Sequence, residues 1–363
     1  ISFLRYENKG TVLLGDQYQH MKRAIAFGTS QSGRFLRQYL YDGFNTDEKG
    51  RKVFDGVWAN VAGAGRGSFN LRGAQPSRDG HPTFNFFYPS DVFPFTDVPE
   101  TDPETGVTAG LLAKVKDVPK VFYTNGSYEY WGRNAALIHV SPDGKRDANL
   151  APDTRIYYVA GSQHGPGRLP PPKAGSVNFA NMNDYKPLFR ALLTDMQEWV
   201  KDGVTPPPSR YPRLDRGELT AYEALKDPAV PKQPMRAWRV DFSSEPPVVG
   251  KMFPLLVPTV GPDGNELGGV RMPEVAVPLA AYRGWNFVDA PNAPKGWVND
   301  MVGSTLPMPV ADVQKRYESR AKYQSLVREK ALEMVKERLL LERDVDPVVN
   351  RAGQAWDWLI SSK

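Results

Sequence analysis

Three residues, Ser30, Glu129 and His164, are of the types that acyl-transfer chemistry needs. A serine hydroxyl is a poor nucleophile at neutral pH. It requires a base within hydrogen-bond reach, and that base requires an acid to orient it. Ser30 stands at the apex of Gly28-Thr29-Ser30-Gln31-Ser32-Gly33, close to the G-x-S-x-G spelling of a nucleophile elbow. At such an elbow the chain leaves a strand and enters a helix so sharply that its flanking residues must be small. Gly28 meets that need; two positions after the serine stands Ser32 rather than glycine, with Gly33 next, and serine is small enough to fit. The backbone N–H of Gln31, at the helix start, would point at an oxyanion developing on the substrate.

Four histidines could supply the base: His20, His81, His139 and His164. His164 follows the last core strand in Gly161-Ser-Gln-His-Gly-Pro-Gly167, which reads as a flexible Gly-rich loop. His139 falls in a predicted helix and reads as structural. His20 precedes the nucleophile strand, and His81 lies in an irregular stretch. The acid is expected after the penultimate strand, where Asn125-Gly-Ser-Tyr-Glu129 follows residues 120–124, and Glu129 has that place. Asp97, Asp102, Asp143, Asp147 and Asp153 stay open as alternatives. Tyr128, Tyr130 and Trp131 flank Glu129 and are candidates to line an acyl or alcohol pocket, with core packing the competing reading. Arg34 and Arg133 could hold an acidic group of a substrate, although structural pairing is the plainer account.

These side chains need a sheet to carry them. Apolar runs at 24–27, 53–62, 120–124 and 155–160 read as strands, and they alternate with helices or long loops, which argues for a mostly parallel sheet. A short helix is expected over 16–23, another over 130–140, and an amphipathic one over 183–202 that Gly203 and Pro206-Pro207-Pro208 terminate. Residues 68–118 show no sustained periodicity but carry Phe84, Phe86, Phe87, Phe93 and Phe95, and are expected to cap the site. Beyond residue 209 the chain turns Pro-rich, with a hairpin expected between 253–260 and 269–277. A long charged helix follows over 311–344, then a shorter one over 346–360. The division expected is a core over 1–209 and a Pro-rich β and loop region with C-terminal helices over 210–363, packed on that core.

Composition narrows the function. The chain has 363 residues, 40% hydrophobic and 24% charged, with a net charge of +5 spread without a Lys/Arg tract, so nucleic-acid binding is not indicated. The 33 prolines and 32 glycines imply many loops. The absence of cysteine removes disulfides, thiolate metal sites and a cysteine nucleophile but does not fix the compartment, and an extracytoplasmic setting stays open. No apolar run is long enough to span a membrane. Gly63-Ala-Gly-Arg-Gly67 is spelled G-x-G-x-G rather than G-x-G-x-x-G and is not followed by a helical pattern, so no dinucleotide is expected. Asp263-Gly-Asn265 reads as a turn rather than a calcium loop. No metal and no cofactor are expected.

Several long blocks, GTSQSGRFLRQYLYDGFN, VFDGVWANVAGAGRGSFN, NGSYEYWGR, YYVAGSQHG and VGPDGNELGGVRMPEVAVPLAAYRGWN, resemble the bacterial alpha/beta hydrolase domain family of large serine hydrolases, and the likeness runs over nearly the whole chain. The resemblance implies an α/β-hydrolase fold with Ser30, Glu129 and His164 at the matching positions. The order Ser, acid, His is that of the fold. It also implies sheet strands ahead of the nucleophile strand, so a second polypeptide or an omitted N-terminal region is expected to complete the sheet and to bring the second oxyanion donor. The expected activity is hydrolysis of a small-molecule carboxylic ester. Amide hydrolysis or acyl transfer by the same residues is an alternative, as is a binding or scaffold protein that keeps the fold.

Overall fold

The computed structural model describes residues 1–7, 21–69, 74, 89–173, 175–225, 230–232, 234–299 and 301–361. Its centre is a parallel sheet of four strands, β1 (Ile25–Thr29), β2 (Gly56–Asn60), β3 (Lys120–Gly126) and β4 (Thr154–Val159), in that spatial order. Parallel strands covered on both faces read as unbroken apolar runs, and β2 is buried at every position. The strands stand in register, with Asn60 opposite Thr29 and Thr124, and Gly126 opposite Val159. Their carboxyl ends therefore form one line, and Ser30, Glu129 and His164 all follow it. Among the described residues β1 pairs with β2 alone, which leaves its other edge without a ladder, and Phe27 on it is 55% exposed.

Alternate residues of each strand point to opposite faces, and each face has its own core. Val57, Ala59, Val121, Tyr123, Ile156 and Tyr158 face α1 (Gln31–Tyr41), which contributes Leu36 and Leu40, together with Phe95, Phe253, Leu255 and Val257. Trp58, Phe122, Tyr157 and Val159 face α3 (Lys186–Asp202), which contributes Leu188, Leu192, Met196 and Trp199. That second core continues into Val327, Val349, Ala352 and Trp356 of the C-terminal helices. Residues beyond 209 thus complete both cores.

Several elements differ from expectation, each for a local reason. The expected helix over 311–344 is two helices, α4 (Val310–Tyr317) and α5 (Arg320–Lys336). Glu318 has φ 63 and the Ser319 hydroxyl accepts the N–H of Lys322 at 3.2 Å, so the chain restarts with a new cap. The shorter C-terminal helix is α6 (Val345–Ser361), which packs on α5. The helix expected over 130–140 begins earlier, as α2 (Ser127–Gly132), and breaks at Asn134, with φ 49, before a 3-10 turn at Ala135–Ile138. The hairpin expected between 253–260 and 269–277 forms only at its turn, where Val260 bridges Glu266 and the Leu267 N–H donates to the Thr259 carbonyl at 3.1 Å, and no ladder joins the two runs. Leu256–Pro258 pairs instead with Leu219–Ala221, and Pro273 opens a one-turn helix at Pro273–Ala276. Residues 261–265 are a turn closed by Gly261 N–H to the Asn265 carbonyl at 2.8 Å.

Of the stretch 68–118, residues 70–73 and 75–88 lie outside the described residues, and with them Phe84, Phe86, Phe87 and His81; His20 and most of the helix expected over 16–23 lie outside them as well. Phe93 and Phe95 are core residues: both pack on Phe253, at ring separations of 6.4 and 4.9 Å. The described part of the expected cap fills the sheet face that carries α1. No described helix is long and apolar enough to cross a membrane.

Candidate active site

Ser30 sits between β1 and α1 with φ 59 and ψ −118, a left-handed conformation that costs a non-glycine residue about 1–3 kcal/mol. The surroundings hold it there. Its N–H donates to the Asn60 carbonyl at 2.9 Å, and its own carbonyl accepts the Arg34 N–H at 2.9 Å. Gly28 is needed because a Cβ would lie 2.5 Å from the Ser32 carbonyl oxygen. The second close approach falls at Gly33, where a Cβ would lie 2.7 Å from the Asn60 carbonyl oxygen, while Ser32 is exposed to solvent. This is why serine is accepted where the elbow spelling has glycine. Gln31 is the first residue of α1, and its N–H is among the four that a helix cannot satisfy internally.

Glu129 and His164 meet. Glu129 lies in the first turn of α2 and is fully buried; its Oε2 accepts the Gly126 N–H at 2.7 Å and its Oε1 lies 2.6 Å from His164 Nδ1. An ionised carboxylate accepts both bonds, so the proton of the imidazole belongs on Nδ1, which leaves Nε2 as the basic nitrogen. The imidazole side chain is 14% exposed. Among the described residues no hydrogen bond joins the Ser30 hydroxyl to His164. Catalytic bonds of this kind commonly tighten only around a substrate.

Each alternative acid has other partners. Asp97 accepts from Tyr123 at 2.7 Å and Thr154 at 2.5 Å on the sheet face, where burial pushes its carboxyl up. Asp102 pairs with Arg239 at 2.8 Å and Asp153 with Lys120 at 2.6 Å. Asp143 accepts from Ser141 at 2.6 Å, and Asp147 accepts the N–H groups of Leu214 and Asp215 at 3.1 and 3.0 Å. His139 is buried against the Tyr130 hydroxyl at 2.7 Å, and burial pulls it down to about 3. It is a neutral core residue.

The loop that carries His164 is stapled rather than flexible. The Tyr185 hydroxyl donates to the His164 carbonyl at 3.0 Å, Asn181 Nδ2 to the Gly161 carbonyl at 2.7 Å, and the Gly167 N–H to the Asn183 carbonyl at 2.8 Å. Glu266 is the main tie. Its carboxylate is buried and accepts the Gly161 N–H at 2.5 Å, the Ser127 hydroxyl at 2.6 Å and the Tyr158 hydroxyl. It thereby joins the start of the histidine loop to the start of the acid's helix. Burial pushes the Glu266 carboxyl above 4.5. The sequence reading passed over Glu266, which was visible only as an acid among glycines just after the turn at 261–265.

The three aromatics around Glu129 part company. Tyr130 points into the core, against His139 and Tyr158, and is not among the described residues that line the large cavity beside Glu129. Tyr128 meets the His164 ring edge-on at 5.3 Å. Tyr128 and Trp131 both form the wall of a cavity of about 610 Å³, with Trp285, Trp297, Lys232 and Lys295 among its other residues. A smaller cleft around Leu150, Arg155 and Pro206 lies by the start of β4, at the far end of the sheet from Ser30.

Arg34, Arg133 and Asp91 are buried together, with Arg133 Nη1 3.8 Å from Asp91 Oδ1 and Asn134 Nδ2 3.1 Å from Asp91 Oδ2. Burial, and then the neighbouring Arg133, press Arg34 down to about 9 against the pull of Asp91. Gly63 and Gly65 serve this cluster: a Cβ on Gly63 would lie 2.3 Å from Arg133 Cβ, and one on Gly65 2.5 Å from Arg34 Cδ and 2.7 Å from Asp91 Oδ1. Among the described residues no group of three His, Asp or Glu side chains is arranged to hold a metal.

A family model described as alpha/beta hydrolase domain matches residues 1–350. No curated protein and no solved structure matches the chain.

Proposed function

The chain belongs to the alpha/beta hydrolase domain family, and from that premise we propose that it is a serine hydrolase that cleaves a carboxylic ester through an acyl-enzyme. The observation that carries this reading is the 2.6 Å contact between Glu129 and His164, on the same sheet end as a serine held at φ 59. Ser30 Oγ attacks the ester carbonyl carbon and passes its proton to His164 Nε2. Glu129 holds the imidazole through Nδ1 and stabilises the imidazolium. The Gln31 N–H binds the oxyanion. Collapse of the tetrahedral species breaks the carbon–oxygen bond of the ester, and His164 returns the proton to the departing alkoxide as an alcohol. Water then attacks the acyl group on Ser30 with His164 again as base, and the carboxylic acid leaves. Tyr128 and Trp131 border the space for the substrate.

A second reading, a binding protein that keeps the fold, draws on the absence of a Ser30–His164 hydrogen bond among the described residues. A fluorophosphonate separates the two. Covalent labelling of Ser30, lost in Ser30→Ala, supports the hydrolase; no labelling supports the binding protein. Esters, lactones and amides assayed in parallel then separate ester hydrolysis from amide hydrolysis, and an added alcohol reveals acyl transfer.

A further inference from the structure

The cavity of about 610 Å³ begins beside the acid. Tyr128 and Trp131 flank Glu129 on α2, and the rest of the wall comes from distant segments that include Lys232 and Met235 on one side and Trp285, Lys295 and Trp297 on the other. Tyr128 belongs to two places at once, since it walls the cavity and its ring also meets His164 at 5.3 Å. A group lying against Tyr128 from the cavity side is one side chain away from the base.

The surface of this cavity has two characters. Tyr128, Trp131, Trp285 and Trp297 offer flat rings, with Trp131 and Trp285 4.3 Å apart and inclined at 51°. Both are nearly buried, so they are held in place before any ligand arrives. Rings of this kind favour flat apolar groups. Beside them stand Lys232 and Lys295, both exposed, and among the described residues neither has an ion pair or hydrogen bond. Elsewhere on the protein, Lys49 pairs with Glu7, Lys120 with Asp153 and Lys251 with Glu104. No Asp or Glu is among the described residues that line the cavity. The charged side chains among the described lining residues are therefore both positive, and complementary to an anion.

We infer that this cavity receives an aromatic portion of the substrate that bears a negative charge, with the ring against Trp131, Trp285 and Trp297 and the anion toward Lys232 and Lys295. The substrate class is thus an ester of an anionic aromatic compound. The inference rests on the ester-hydrolase reading for its chemistry, but it is a statement about binding and is tested without turnover.

Ser30→Ala protein keeps the cavity and cannot form an acyl-enzyme. Calorimetric titration with naphthalene-2-carboxylate, naphthalene-2-carboxamide and the 2-naphthylmethylammonium ion compares anion, neutral and cation on one ring. The carboxylate is expected to bind about tenfold more tightly than the amide, roughly the 1.4 kcal/mol that two exposed charges can supply together, with the cation weakest. Adding Lys232→Gln and Lys295→Gln should bring the carboxylate down to the amide. Trp297→Ala, at a 53% exposed position the fold does not depend on, should weaken all three together. Equal affinity for carboxylate and amide, or a carboxylate affinity unchanged by the two lysine substitutions, overturns the inference. Fluorophosphonate labelling of the unmodified protein keeps the two readings apart. Labelling without a carboxylate preference removes the inference and leaves the hydrolase, and the preference without labelling does the reverse.

Discussion

Glu266 Oε2 lies 2.5 Å from the backbone nitrogen of Gly161, so a residue from the C-terminal half of the chain sets where the histidine loop begins. Through Ser127 the same carboxylate sets where the helix of Glu129 begins. Glu266→Ala leaves the Gly161 N–H and two hydroxyls without their acceptor. At about 1–3 kcal/mol for each buried group left alone, it should lower stability by several kcal/mol. Glu266→Gln keeps one acceptor and should be milder. The positioning role is read by the rate of fluorophosphonate labelling of Ser30 in folded Glu266→Gln, which should fall. An unchanged rate would make Glu266 a purely structural residue. The sign of its pH effect is also set. Its carboxyl is raised above 4.5, so its contribution to stability is complete below that pH and is lost as pH rises through the folded value. Glu266→Gln should flatten that part of the stability curve.

Ser30 should separate stability from activity. Ser30→Gly relieves the left-handed strain and is expected to raise stability by about 1 kcal/mol while abolishing turnover. Ser30→Ala should also abolish turnover, by several orders of magnitude, without that gain. Thermal denaturation and ester hydrolysis on the same samples check both. If Ser30→Gly proves less stable than the unmodified protein, the φ of 59 is not a strained conformation held by its neighbours.

Glu129→Gln should retain the fold, because the side-chain carbonyl can still accept the Gly126 N–H. It replaces an acceptor facing His164 Nδ1 with an amide and favours the wrong tautomer, for which a loss of about 10⁴-fold in kcat is the precedent. Substituting Asp97 or Asp102 should lower stability without a comparable effect on kcat. A Glu129→Gln enzyme with near-normal kcat would reassign the acid.

His139 makes the folded protein sensitive to acid. Burial holds it near 3, whereas an unfolded histidine takes up its proton near 6.5. Between those values the unfolded state binds the extra proton, so stability falls as pH drops, by up to about 1.4 kcal/mol per unit from this one group. His139→Gln removes the titration. Its unfolding free energy should fall less steeply between pH 6.5 and 4 than that of the unmodified protein, whatever its value at neutral pH.

Much of this site was legible because its signals are local. The strand ahead of Ser30, the turn of glycines around it and the acid two strands later are each read from a handful of adjacent residues. What escaped depends on residues far apart. Glu266 reaches Gly161 across 105 positions, and the cavity wall joins Trp131 to Trp285 and Trp297. Tyr128 and Tyr130 flank the same residue, Glu129, yet a helix points Tyr130 at His139 and Tyr128 at His164. The break at Glu318 was hidden for another reason: polar residues continue through it, and only the Ser319 cap marks the restart.

The displaced glycine of the elbow gives the most local test. The general elbow spelling G-x-S-x-G would place glycine at 32, but the close contact with β2 falls on Gly33. Ser32 is exposed, so Ser32→Gly should change little beyond the roughly 0.5–1 kcal/mol that glycine costs near a helix start. Gly33→Ala is different. Its Cβ would lie 2.7 Å from the Asn60 carbonyl, which is the acceptor of the Ser30 N–H, and 3.2 Å from Ala62 Cβ. Relief requires α1 to move away from β2, and Ser30 and the Gln31 N–H move with it. A shift of about 1 Å at a reacting group can cost on the order of 100-fold in rate. Gly33→Ala is therefore expected to lose activity well beyond its loss of stability, measured as kcat against thermal midpoint. If Ser32→Gly is the variant that disturbs catalysis and Gly33→Ala is silent, the close approach has been assigned to the wrong residue.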